Sequence, residues 1–136
     1  MRLERNSDEW FAALDGFFSS KEDTPFEWGT HDCCTFAADW VKLATGIDPM
    51  EDLRGLDSAI AAHRALSEAG GMLAAVDLRM GPHLTGPFAH AGDVAMTTSE
   101  TGSKVMAVCV GAHLAVPGVV GLQLVPVQQA EATWRV

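Results

Sequence analysis

Past Gly92-Asp93 the apolar residues of this chain change their period, and that change restricts the folds open to it. Upstream the spacing is helical. Trp10, Leu14, Phe17 and Phe18 follow the start signal Asn6-Ser7-Asp8-Glu9, and Phe36, Ala37, Trp40, Val41 and Ala44 run from Asp32 to the stop at Gly46. Ile60, Ala61, Ala65, Leu66 and Ala69 lie between the capping pair Asp57-Ser58 and the terminator Gly70-Gly71, and Met72 to Val76 continues as a short helix. Gly81-Pro82 and Gly86-Pro87 mark turns. Downstream, Asp93 to Thr97, Lys104 to Gly111, His113 to Val116 and Leu122 to Val125 read as strands separated by Gly and Pro. Helices followed by strands predict an α+β fold, with N-terminal helices packed on a small antiparallel meander of about four to six strands.

With 136 residues the chain is expected to form one domain over its whole length, large enough to bury most of its apolar surface. Its net charge of −9 argues against nucleic acid and against an anionic membrane surface as partners. Met1 to Arg5 lacks the apolar core of a secretion signal, and no run approaches the eighteen or so apolar residues of a membrane span, so synthesis in the cytoplasm is expected. Three cysteines cannot close a disulfide framework, and free thiols are expected. His31, Cys33, Cys34 and His113 lack the paired Cys-x-x-Cys spacing of a metal site, so neither metal nor cofactor is predicted.

The stretch Trp28-Gly29-Thr30-His31-Asp32-Cys33-Cys34 aims a thiol at the start of a helix. Asp32 is a good N-cap, which places Cys33 at the first helical position, where the positive helix end and free backbone N–H groups favour a thiolate. Burial as a small apolar side chain is the competing role for both cysteines. Cys34, about 100° further round the helix, is assigned to packing. His63 reads as an ordinary surface histidine and is left out of the site; His83 and His90 lie in a loop-rich stretch and are also read as surface groups.

Phe26-x-Trp28-Gly29 followed by Asp32-Cys33-x-x-Phe36, with Ala91-Gly92-Asp93-Val94 opening a strand, resembles the order of elements in NlpC/P60 cysteine peptidases of the papain-like superfamily. Over most of its length the chain also resembles a small family of phage and prophage proteins. The shared stretches are Trp28-Gly29-x-His31-Asp32-Cys33, Gly46-x-Asp48-Pro49, Leu53-Arg54-Gly55, Gly70-Gly71, Gly92-Asp93-Val94, Gly121-Leu122 and Trp134-Arg135-Val136.

The peptidase resemblance implies a nucleophile at Cys33, a histidine base at the start of a central strand, and a third polar group on the next strand. Aligning Val105 to Gly111 with that strand puts Val105 where the histidine belongs, and Phe26 stands where such peptidases often carry an oxyanion-binding tyrosine. His113, opening the next strand, and His31, two residues before Cys33, are the candidate replacement bases. The phage resemblance implies a structural or assembly part of a tail tip, with tail proteins as partners and a place in the virion. The alternative is a cysteine hydrolase cleaving amide bonds, for example in peptidoglycan peptides, through Cys33 and a displaced histidine.

Overall fold

The computed structural model describes residues 2–136. Among them the chain forms four helices, α1 (Asp8–Lys21), α2 (Cys33–Thr45), α3 (Ala59–Glu68) and α4 (Met72–Met80), followed by six strands. The strands are β1 (Leu84–Thr85), β2 (Val94–Thr98), β3 (Lys104–Cys109), β4 (His113–Pro117), β5 (Leu122–Pro126) and β6 (Ala132–Trp134). They make one antiparallel sheet in the order β1-β6-β2-β3-β4-β5. The fold is the expected α+β, with β2 to β5 as the predicted meander. Three elements differ from the expectation. The short helix extends to Met80, β1 forms in the stretch that reads as turns and loop, and β6 crosses back to lie between β1 and β2, a long-range pairing that three residues cannot announce by periodicity.

Alternation along the strands divides the apolar side chains between the two faces of the sheet. Val94, Met96, Met106, Val108 and Trp134 join Trp10, Phe17, Phe36 and Trp40 of α1 and α2 in the main core. Ala95, Ala107, Cys109 and Leu114 pack on the opposite face. The main core is aromatic: Trp10 stands edge-on to Trp40 with centroids 5.3 Å apart, and Phe17 stacks on Phe36 at 5.2 Å. Both indoles find acceptors in the turn before β2, Trp10 Nε1 donating to Ala91 O (3.1 Å) and Trp40 Nε1 to Gly92 O (2.8 Å).

Two polar anchors fasten the periphery. The carboxylate of Asp93, wholly buried, accepts from Arg5 Nη1 (2.5 Å) and from the His90 backbone N–H (2.9 Å), with Arg135 Nη1 at 3.8 Å. The same contact gives His90 its place, through its backbone. Asp77 of α4 accepts from Trp134 Nε1 (2.9 Å) and from the backbone N–H of His83 (3.1 Å), and His83 Nδ1 lies 2.9 Å from the same oxygen. Burial raises the Asp77 carboxyl, but the bonds from His83 and Trp134 outweigh it and hold the group below its ordinary range. His83, which reads as a surface group in the sequence, therefore supports the Asp77 carboxylate that joins α4 to Trp134 of the last strand.

Candidate functional site

Asp32 caps α2 with its side chain extended on both sides. Oδ1 accepts from Thr35 N (2.9 Å), Oδ2 from Gly29 N (2.9 Å), and Thr35 Oγ1 accepts in return from Asp32 N (2.9 Å). The reciprocal box is buried and fixes the first turn of α2 beneath a tight turn in which the His31 N–H bonds Glu27 O (2.8 Å). Cys33 is thereby held at the helix start, as the cap predicts, beside the beginning of β3.

The Cys33 thiol is shifted below its ordinary value. A hydrogen bond from the Cys34 thiol is the main cause; the Met106 and Cys34 backbone N–H groups add to it, against burial and the Asp32 charge. Cys34 moves the other way, well upward, because it donates to Cys33 and is itself desolvated. Cys109, on the far face of the sheet, is raised by burial. The three thiols are thus unequal, and iodoacetamide at neutral pH is expected to label Cys33 first, with Cys34 and Cys109 slower. Peptide mapping of the alkylated protein ranks them, and equal labelling would mean that Cys33 is packing.

Cys33 opens into a cleft of about 850 Å³. Phe26 and Trp28 from the loop before α2 form one wall, in edge-to-face contact at 4.7 Å. Leu56 and the α3 residues Ile60 and His63 form another, and Val105, Val116 and Pro117 close the sheet side. Phe26 and Val105, the two departures from the peptidase pattern, therefore both border the space next to the thiol. Neither can exchange a proton.

The structure does not bring the two candidate histidines to this cleft. His113 faces Val110 across β3 and β4, four residues along β3 from Met106, whose backbone touches Cys33. At a strand rise of about 3.3 Å per residue that is roughly 13 Å. Its side chain is exposed at the far end of β4, so the expectation that it leans toward the α2 N-terminus is corrected. His31 is close in sequence but turned inward: it is 3% exposed, packs edge-on against Phe36 with centroids 5.7 Å apart, and neither ring nitrogen has a hydrogen-bond partner. Its main chain, not its ring, anchors the loop, through bonds in both directions with Glu27.

Burial is the main reason His31 is pushed below its ordinary value of 6.5, with Lys21 adding to it and Asp39 and Asp32 opposing. The folded chain then holds fewer protons at this site than the unfolded one, so stability contributed by neutral His31 is present above 6.5 and is lost as pH falls. Thermal unfolding between about pH 8 and pH 5.5 should show a falling midpoint that His31→Leu flattens. A variant with the same slope as the parent would assign the slope to other groups.

The histidine that does line the cleft is His63, which the sequence reading set aside. Ile60, His63 and Ser67 recur at i, i+3 and i+7, and all three face the cavity, so the signal was the shared helix face. Among the described residues no cluster of three or more His, Cys, Asp and Glu side chains is suited to hold a metal ion, and no helix is long and apolar enough to cross a membrane.

A capped cysteine helix laid on an antiparallel sheet defines an NlpC/P60-like α+β fold. Among solved structures the chain is similar to the NlpC/p60 domain of the peptidoglycan hydrolase SagA, with a TM-score of 0.58 and 18% identity over 93% of this chain and 98% of that one. Residues 5–136 match the family described as Domain of unknown function (DUF6950), and the chain belongs to that family. No curated protein matches it.

Proposed function

We propose that this chain is an NlpC/P60-type domain whose cysteine cleft has lost the acid–base set for amide hydrolysis, and that it serves as a structural or assembly component of a phage or prophage tail tip. The observation that carries the first half is Val105 beside Cys33, at the strand position where the peptidase resemblance requires a histidine, with His113 and His31 both outside the cleft. An amine leaving group must be protonated, and losing that help costs about 10²–10⁴ in rate. The tail-tip assignment is supported by the likeness of the sequence to phage and prophage proteins, and tail proteins are the partners it implies.

Purified protein is expected to release no product from peptidoglycan fragments or peptide libraries, and Cys33→Ala to leave both that result and tail assembly in a phage encoding the chain unchanged. Turnover that disappears in Cys33→Ala would overturn this reading. One observation favours the hydrolase alternative, namely that His63 shares the cleft with Cys33. Turnover abolished equally by His63→Ala would establish α3 as the source of the base.

A further inference from the structure

The cleft is lined mainly by apolar side chains, and among them stands the Cys33 thiol at the first position of α2. About 850 Å³ is the size of a site for a small molecule with an extended apolar part, and Trp28 and Ile60 remain 39% and 73% exposed on its walls. Solvent-exposed apolar walls of this kind are covered favourably by an aliphatic chain. Phe26 and Val105 border the thiol where the peptidase resemblance puts groups that exchange protons, and that replacement decides what bond such a chain can bring. An amide or an ester of an ordinary alcohol leaves as a strong base and needs a proton. A thiol leaves as a thiolate at nearly the basicity of the attacking cysteine and needs none.

We propose that the cleft accepts an aliphatic acyl group delivered as a thioester, and that Cys33 takes it over by thiol–thioester exchange. The inference rests on the reading that the site lacks an acid for amine leaving groups. In the step, the Cys33 thiolate attacks the thioester carbonyl and a new S–C bond forms. The tetrahedral oxyanion collapses, and the bond to the carrier sulfur breaks. The carrier departs with the electron pair as a thiolate that solvent protonates, while the proton first lost by Cys33 goes to solvent. One thioester is consumed and one is made, with no oxidant or reductant. The backbone N–H groups at the start of α2 face the developing charge. The acyl chain lies along Trp28, Leu56 and Ile60.

The test uses octanoyl and acetyl thioesters of N-acetylcysteamine, with the octanoyl amide of the same shape as a third probe, followed by intact mass and peptide mapping. The expected result is one octanoyl group on Cys33, none in Cys33→Ala, and transfer about tenfold or more faster from the octanoyl than from the acetyl donor, since buried methylenes discriminate by that order. Ile60→Lys, at an exposed wall position, should lower the octanoyl-to-acetyl ratio. Acetyl transfer as fast as octanoyl, label spread equally over the three cysteines, or no acylation in a folded protein whose Cys33 still reacts with iodoacetamide would each overturn the proposal. Cys33-dependent cleavage of the octanoyl amide would instead overturn the non-hydrolytic reading on which it rests.

Discussion

Gly92→Ala is expected to be among the most destabilising single substitutions in this chain. Gly92 has φ +93°, where an L-residue is strained, and a Cβ built on it would overlap the Trp10 indole. The two indoles that donate to Ala91 O and Gly92 O fix this turn from below, so neither ring has room to retreat without giving up its bond and the aromatic packing behind it. Strain, overpacking and one or two broken buried hydrogen bonds act together, which puts the cost at about 4 kcal/mol or more. For a chain of this size that corresponds to a loss of roughly 15 °C in the unfolding midpoint. Gly102→Ala is the control. It shares a positive φ (+86°) but meets no atom within 4 Å, and should cost only about 1 kcal/mol. Equal effects of the two substitutions would show that backbone strain, not the indole, sets the penalty.

Removing Arg5 should be nearly as damaging. Its guanidinium is the near partner of the fully buried Asp93 carboxylate, and Arg135 at 3.8 Å and half-exposed is a poor substitute. Breaking one side of a buried pair leaves an uncompensated charge, at a cost of about 3 kcal/mol. Arg5→Ala measured beside Asp93→Ala and the double variant separates the pair from its neighbours. The double variant should be less destabilised than the sum of the singles, because the stranded carboxylate is gone. Additive losses would mean that Arg5 acts through its guanidinium over the Trp10 ring, 5.7 Å from the centroid, and not through its pairing with Asp93.

The helices were legible because each is announced locally. Ser7, Asp32 and Ser58 are the caps found, and Gly46 and Gly70 end their helices as the pattern indicates. The β2–β5 meander was legible because consecutive strands joined by turns are neighbours in space. What could not be read depends on distance in sequence. The pairing of β6 with β2 joins residues some forty positions apart, and the sharing of one cleft by His63 of α3 and Cys33 of α2 is likewise a matter of tertiary packing. The sequence offered His31 and His113 as nearer candidates, one by adjacency and one by strand order. Neither reaches the thiol: a residue just before an N-cap is free to turn into the core, and His113 lies at the end of its strand remote from Cys33.

The position of β6 also sets the order of events during synthesis. A nascent chain that has extended as far as β5 can fold its helices onto the β2–β5 meander, but one edge of β2 stays bare, with unpaired amides flanking Met96. Only when residues 132–134 arrive does β6 cover that edge, bring Trp134 to Asp77 and give β1 a strand to pair with. Completion of the sheet is therefore deferred to the last strand. Until then the open β2 edge is the part of the molecule most exposed to pairing with another copy of itself.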